Sequence, residues 1–190
     1  MNASNFGAGT GALVAYTQAN IATIDLPGDV IAAQERLADN GVNGDTIVMS
    51  ANLFNRVIRS TMLQNFVRGN RPTDSTMNMT TDAVAQAFAA NGIKQVLVGR
   101  ARYNSAKKGQ AYVKSCIWGD TYIWVGQCNG GAATDGGAGR TFVWNAEGGL
   151  FVTETYRDEK RRSNMVRVRQ NTIEKIIDGS AGTLITTSYA

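Results

Sequence analysis

Residues 153–170 read TETYRDEKRRSNMVRVRQ. Two alternating runs flank a dense charged segment in which Arg157, Lys160, Arg161 and Arg162 stand beside Asp158 and Glu159. The flanks GLFVTETY and NMVRVRQNTIEKII place apolar and polar residues in alternation, Val166 and Val168 against Arg167 and Arg169, which is the two-residue period of a strand. The stretch therefore predicts a long antiparallel hairpin with a mixed-charge tip. A charge run is commonly no more than a solvated turn, because loops run over the surface and tolerate charge.

Upstream the period changes to that of helices. Asp25-Leu26-Pro27 is a helix start, and Val30, Ile31, Gln34, Leu37 and Ala38 follow at helical spacing until Asn40-Gly41 stops them. Thr46-Ile47-Val48-Met49 predicts a short buried strand. Ser50 then caps a helix carrying Leu53, Phe54, Val57, Ile58 and Met62 on one face. Residues 68–80 have loop chemistry. Thr80 or Thr81 caps a further helix through Val84, Ala87 and Phe88, and Ile93 to Val98 return as a strand. From 112 onward, YVKSCIW and TYIWVGQ around Gly119-Asp120 predict a tight hairpin with Trp118 opposite Thr121. That register sets Cys116 against Ile123, so Cys116 and Cys128 are expected as reduced thiols. Residues 1–24 show no sustained period and read as an arm with some strand character around 12–24. No repeat of 20 to 50 residues is present.

Composition bounds the function. The 190 residues, 43% of them hydrophobic, are enough to bury a core, most simply as one domain with two lobes. The 19 Lys and Arg exceed the 15 Asp and Glu by four, a small excess that does not by itself establish nucleic-acid binding. There is no histidine, which removes Ser-His-Asp and Cys-His catalysis and every His-containing metal site. Two cysteines cannot form a disulfide framework or a four-cysteine zinc site. No run of about 18 apolar residues and no basic-then-apolar leader is seen, so a soluble product made in the cytosol, without membrane contact, is expected. Asn2-Ala3-Ser4 and Asn78-Met79-Thr80 match the glycosylation pattern only as chance would supply.

Sites of chemistry are few. NGGAATDGGAG at 129–139 lacks the lysine and spacing of a Walker loop and reads as a surface loop. Asp158 with Glu159, Asp120 near Trp118, and Cys116 are the fair catalytic candidates. Adjacent carboxylates on a strand point to opposite faces and do not converge as a glycosidase pair, so surface salt bridges are the better reading. Trp118, Tyr122, Trp124 and Trp144, with Lys107, Lys108 and Lys114 nearby, suit either a stacking platform for bases or an ordinary sheet core, and the core is the commoner use of such residues. Neither an enzyme nor a cofactor is expected.

The order of segments carries a resemblance. DLPGDVIAAQERLADNG, then DTIVMSANLFNRVIRS, then TDAVAQAFAANGIKQVLVGRARYNSA, then WGD and the closing VTETYRDEKRRSNMVRVRQNTIEKII resemble the C-terminal part of tailed-phage major capsid proteins with the HK97-like fold, from about residue 25 to the end. The resemblance implies an α+β fold: a mixed sheet with flanking helices plus the long antiparallel hairpin. It implies residues 1–41 as an N-terminal arm and peripheral-lobe helix, 42–148 as an axial-domain-like lobe, and 149–190 as peripheral-domain strands and C-terminus. The family's N-terminal arm, extended loop and spine helix have no counterpart in this sequence, so a truncated form or remnant is expected.

Function in that family is assembly. The resemblance implies copies of the chain as partners in an icosahedral head around packaged DNA, with other virion proteins and weak non-specific DNA contact as further partners, in the virion and, during assembly, in the host cytoplasm. It implies Arg157, Asp158, Glu159, Lys160, Arg161 and Arg162 as a contact between subunits near local three-fold positions, where mixed-sign tips can pair with their own copies. Asn164 lies loosely where cross-linking members carry their acceptor asparagine, but the loop bearing the lysine has no counterpart here. Related cargo compartments share the fold, and a DNA-binding or virion accessory module is the alternative from another class.

Overall fold

The structure is a computed structural model and describes residues 18–69, 79–128, 136–144 and 151–187. Contacts divide the chain into two units: residues up to Ala138 together with those from Asp178 onward, and Gly139–Ile177. The boundaries expected from the resemblance group these residues differently. Helix 28–40 and the final strand were expected with the closing hairpin, whereas both pack on the sheet of the first unit.

The first unit opens with a 3-10 turn, Gln18–Thr23, and helix α1, Leu26–Asp39. The Asp25 side chain caps α1 by accepting from Gly28 N at 3.0 Å, and Pro27 sits in the first turn, where its missing N–H costs nothing. Leu26, Val30, Ala33 and Leu37 form its buried stripe. The chain leaves through Gly41 at φ 74°, a left-handed position suited to glycine. Gln34 then ties the helix to the next loop in both directions, donating from Nε2 to Gly44 O at 2.8 Å and accepting from Gly44 N at 3.1 Å.

Strand β1, Thr46–Ser50, leads into α2, Ala51–Val57, whose Leu53 N donates to Ser50 Oγ at 3.1 Å as a cap. The single helix expected over this region is two. Ser60 N closes on Val57 O, and α3 starts afresh at Thr61–Arg68. The cause is tertiary: Ser60 Oγ donates to Ile24 O at 2.6 Å in the interior, fixing the chain at the break. Helix α4, Thr81–Ala87, is capped by Thr80 Oγ1 and followed by a 3-10 turn, Ala89–Asn91, and Gly92 at φ 88°.

Strand β2, Gln95–Gly99, lies parallel to β1, from Thr46↔Gln95 to Ser50↔Gly99. The other side of β1 takes β5, Tyr122–Gly126, antiparallel, and β5 takes β10, Gly182–Thr186, also antiparallel. The sheet order is β10-β5-β1-β2, a mixed sheet as expected. Helix α1 packs on β10 and β5, α2 on β1 and β2, and α4 on β2. Strand alternation divides the core accordingly. Ile47, Met49, Ile123, Val125 and Ile185 join the helical residues in one cluster, while Trp124 and Leu184 join Ala138 and Ala181 in a smaller one, with Val48 and Trp118 at its margin.

The expected hairpin about Gly119-Asp120 does not form. Strand β4, Lys114–Cys116, pairs instead with β3, Arg102–Asn104, so Cys116 stands opposite Arg102 and not Ile123. The reason is burial. YIWVG is apolar enough to be a central strand between β1 and β10, and KSC is polar enough to stay in an exposed ribbon. Both cysteines are nevertheless free thiols.

The second unit, by itself, holds two antiparallel pairs. Strand β6, Gly139–Val143, pairs with β9, Thr172–Ile176, and β7, Val152–Asp158, pairs with β8, Ser163–Arg169. The opening stretch is thus a hairpin as expected, but NMVRVRQNTIEKII is two strands in different ladders. The strand character expected around 12–24 is a 3-10 turn where it is described, Gln18–Thr23, and its remainder, 12–17, like residues 129–135 of the glycine-rich loop, lies outside the described residues.

Candidate assembly surface

The β7–β8 register runs from Val152↔Arg169 to Asp158↔Ser163. Residues directly opposite share a face, so Val152, Glu154, Tyr156 and Asp158 lie with Arg169, Arg167, Met165 and Ser163, while Thr153 and Thr155 lie with Val168 and Val166. Alternation in the sequence invites the valines to the interior. The structure has them outside: Val166 is 65% and Val168 61% exposed, and Thr153 and Thr155 are exposed as well. On the other face Arg169 is partly covered and its Nη2 holds Glu154 Oε1 at 2.8 Å.

The tip closes through residues 159–162. Asp158 Oδ1 accepts from Lys160 N at 3.0 Å and from Arg161 N at 3.4 Å, an Asx-type turn that makes this carboxylate the organiser of the loop. Arg162 takes φ 49°, the left-handed conformation that returns the chain to β8. Arg157 Nε meets Glu159 Oε1 at 2.8 Å, and Arg161 Nε lies 3.9 Å from Asp158 Oδ2. Both anions of the tip therefore have partners within the hairpin. Lys160 and Arg162 make no ion pair among the described residues, so the tip presents cations outward.

The catalytic candidates disperse on inspection. Asp158 and Glu159 serve the turn. Asp120 Oδ2 accepts from Asn52 Nδ2 at 2.9 Å, and the same amide lies 3.7 Å from Cys116 Sγ, so Asn52 bridges β4 to the loop before β5. Among the described residues no three Cys, Asp or Glu side chains gather as a metal site requires, and no helix is long and apolar enough to cross a membrane. The aromatic platform separates too. Trp124 is only 4% exposed, and Trp144 belongs to the second unit. Partial burial, and next the Asp45 carboxylate, push the Cys128 thiol above its ordinary value, with a hydrogen bond to Thr46 opposing them.

Solved structures share this arrangement. A phage-related protein from Bordetella bronchiseptica RB50 matches over 84% of this chain and 48% of its own, with a TM-score of 0.64 at 18% identity. This chain shares that protein's fold. A candidate capsid protein of a prophage of Escherichia coli CFT073 matches over 90% of this chain and 52% of its own, with a TM-score of 0.53 at 10% identity. The chain spans about half the length of either protein. No family model and no curated protein matches it by sequence. The α+β class and the capsid-like fold expected from segment order therefore stand, while the valine face, absent from the sequence reading, is added by the structure.

Proposed function

We propose that this chain is a structural subunit, or part of one, of a tailed-phage or prophage head, that it associates with copies of itself, and that its place is the virion. The observation that carries the reading is the inverted β7–β8 hairpin. A two-stranded ribbon is marginal alone, yet this one turns Val166 and Val168 outward and keeps an ion pair on its other face. Exposed β-branched residues, Thr153 and Thr155 beside Val166 and Val168, with Arg157 at the tip end of the same face, suit a contact with a neighbouring copy, and the capsid-like fold supplies the context. The tip residues Arg157–Arg162 extend that contact with charge, setting register and partner more than affinity.

Light scattering across a concentration series tests this directly. The purified chain should show weak, concentration-dependent association into small oligomers, and co-expression with a full-length capsid subunit of the same phage should bring it into particles. A strictly monomeric chain that is also excluded from such particles overturns the reading.

A further inference from the structure

A second charged surface lies in the first unit. Residues 83–119 contain Lys94, Arg100, Arg102, Lys107, Lys108 and Lys114 and not one Asp or Glu. Five of these cations fall on the β3–β4 ribbon or at its base. The ribbon is a built element. Asn104 Oδ1 accepts from both Ala106 N at 3.1 Å and Val113 N at 3.0 Å, Ser105 N donates to Val113 O, and Ser115 Oγ meets Ser105 Oγ at 2.9 Å. Gln110 N closes a turn on Lys107 O, with Gly109 at φ 90°. Lys107 and Lys108 are thereby held at an ordered tip.

The register sets Arg102 and Lys114 on one face, since Arg102 pairs with Cys116 and Asn104 with Lys114. Beside the base, Arg100 and Arg102 line a cleft of about 280 Å³ with Ala51, Phe54, Asn55 and Val98. None of the five has an ion pair among the described residues; Arg102 Nη2 has only the Asn52 amide oxygen, at 3.4 Å. Asp120, which follows the ribbon in sequence, is half-buried with Oδ2 on Asn52.

We infer that the β3–β4 ribbon is a nucleic-acid contact, gripping the phosphodiester backbone of duplex DNA without reading its sequence. The cations run along an extended element: at about 3.3 Å per residue the ladder from Arg102 to Ser105 covers roughly 10 Å, with Lys107 and Lys108 at the turn beyond it, a reach that spans successive backbone phosphates. A point-like acidic partner would not need cations distributed at that length. The inference does not depend on self-association, because the ribbon belongs to the first unit and the proposed assembly surface to the second.

Fluorescence anisotropy of the purified chain with a labelled duplex of random sequence, over a salt series, tests it. With five phosphate contacts the logarithm of affinity should fall with the logarithm of salt at a slope of about −4.5, or about 500-fold between 50 and 200 mM. The pair Lys107→Gln with Lys108→Gln should bring the slope to about −2.7. The charge-matched pair Arg167→Gln with Lys175→Gln, in the second unit, should leave it unchanged, and thermal melts confirm that each variant folds. Absence of binding at 50 mM salt overturns the inference. So does a slope indifferent to Lys107 and Lys108, or binding of polyglutamate in preference to DNA, which would assign the ribbon to an acidic protein surface.

Discussion

Arg169 Nη2 reaches diagonally across the hairpin to Glu154 Oε1 at 2.8 Å, and this ion pair lies on the face opposite to Val166 and Val168. Glu154 has its partner within the chain, whereas Val166 and Val168 stand exposed. Replacing Val166 and Val168 with Thr preserves β-branching and strand preference, so the melting temperature of the double variant should stay within a few degrees of the parent. Its concentration-dependent association in light scattering should weaken at least ten-fold. Retained association would move the contact elsewhere on the molecule.

The tip separates assembly from folding in a second way. Exposed ion pairs contribute only about 0–1 kcal/mol each, so reversing Arg161 and Arg162 to Glu should barely alter the melt. Like charges brought together across a repeated contact cost several kcal/mol, and co-assembly with full-length subunits should fail, with partial recovery at high salt as screening grows. Unchanged co-assembly would reduce the tip to a solvated turn.

Arg162 carries a further expectation of its own. At φ 49° a side chain with a Cβ sits at a cost of roughly 1 kcal/mol that glycine avoids. Arg162→Gly also frees the unfolded chain, which returns part of that gain. The net effect in chemical denaturation should be between neutral and about 1 kcal/mol stabilising. A clear loss of stability would show that the Arg162 side chain makes a stabilising contact in the folded chain.

The sequence disclosed local structure well where one chemistry dominates. Asp25-Leu26-Pro27 and Asn40-Gly41 bracket α1 because caps and breakers act within a few residues. Thr80 and Ser50 cap as expected for the same reason. Partner choice between strands is a long-range matter, and there the reading failed. A Gly-Asp pair between two apolar runs looks like a hairpin turn, but TYIWV finds β1 and β10 as neighbours and there buries Ile123, Trp124 and Val125. Likewise, alternation in NMVRVR fixes two faces without saying which is covered. The valines face outward while the Glu154–Arg169 ion pair lies on the other side, an outcome the period itself does not encode. The charged turn at 157–162 was legible because charge density is local; the contact proposed for it depends on a second copy, which no local pattern carries.

Asp178 links folding to pH. Hydrogen bonds from Ser180 Oγ at 2.6 Å and Ser180 N at 2.8 Å hold its carboxyl below the ordinary carboxylate range, and they cap the 3-10 turn Gly179–Ala181 that leads into β10. A depressed folded-state pKa means the contribution is complete above the unfolded-state pKa and is lost as pH falls through the folded value. Stability of the parent should therefore decline through the acid range below about pH 4. Asp178→Asn, which keeps an acceptor but cannot titrate, should show a shallower decline. Identical acid profiles for the two proteins would show that the cap is not coupled to folding.

Ser60 offers the sharpest test of why two helices replace one. Its hydroxyl is buried and donates to Ile24 O at 2.6 Å, while the Ser60 side chain makes no cap bond to α3 although it occupies the capping position. The hydroxyl is thus a tertiary tie between the α2–α3 break and the segment entering α1, not a helix cap. Removing it in Ser60→Ala leaves the Ile24 carbonyl buried without that donor, a loss of about 1–3 kcal/mol. Were Ser60 a conventional cap, Asp would substitute well, because N-cap positions favour Asp as much as Ser. At this position a carboxylate would instead face a carbonyl oxygen in the interior, with no proton to donate. Ser60→Asp should therefore destabilise more than Ser60→Ala in urea denaturation, and Ser60→Thr, which keeps the hydroxyl, should lie closest to the parent. A stability order with Asp above Ala would assign Ser60 to capping and dissolve the argument that its bond to Ile24 divides the helix.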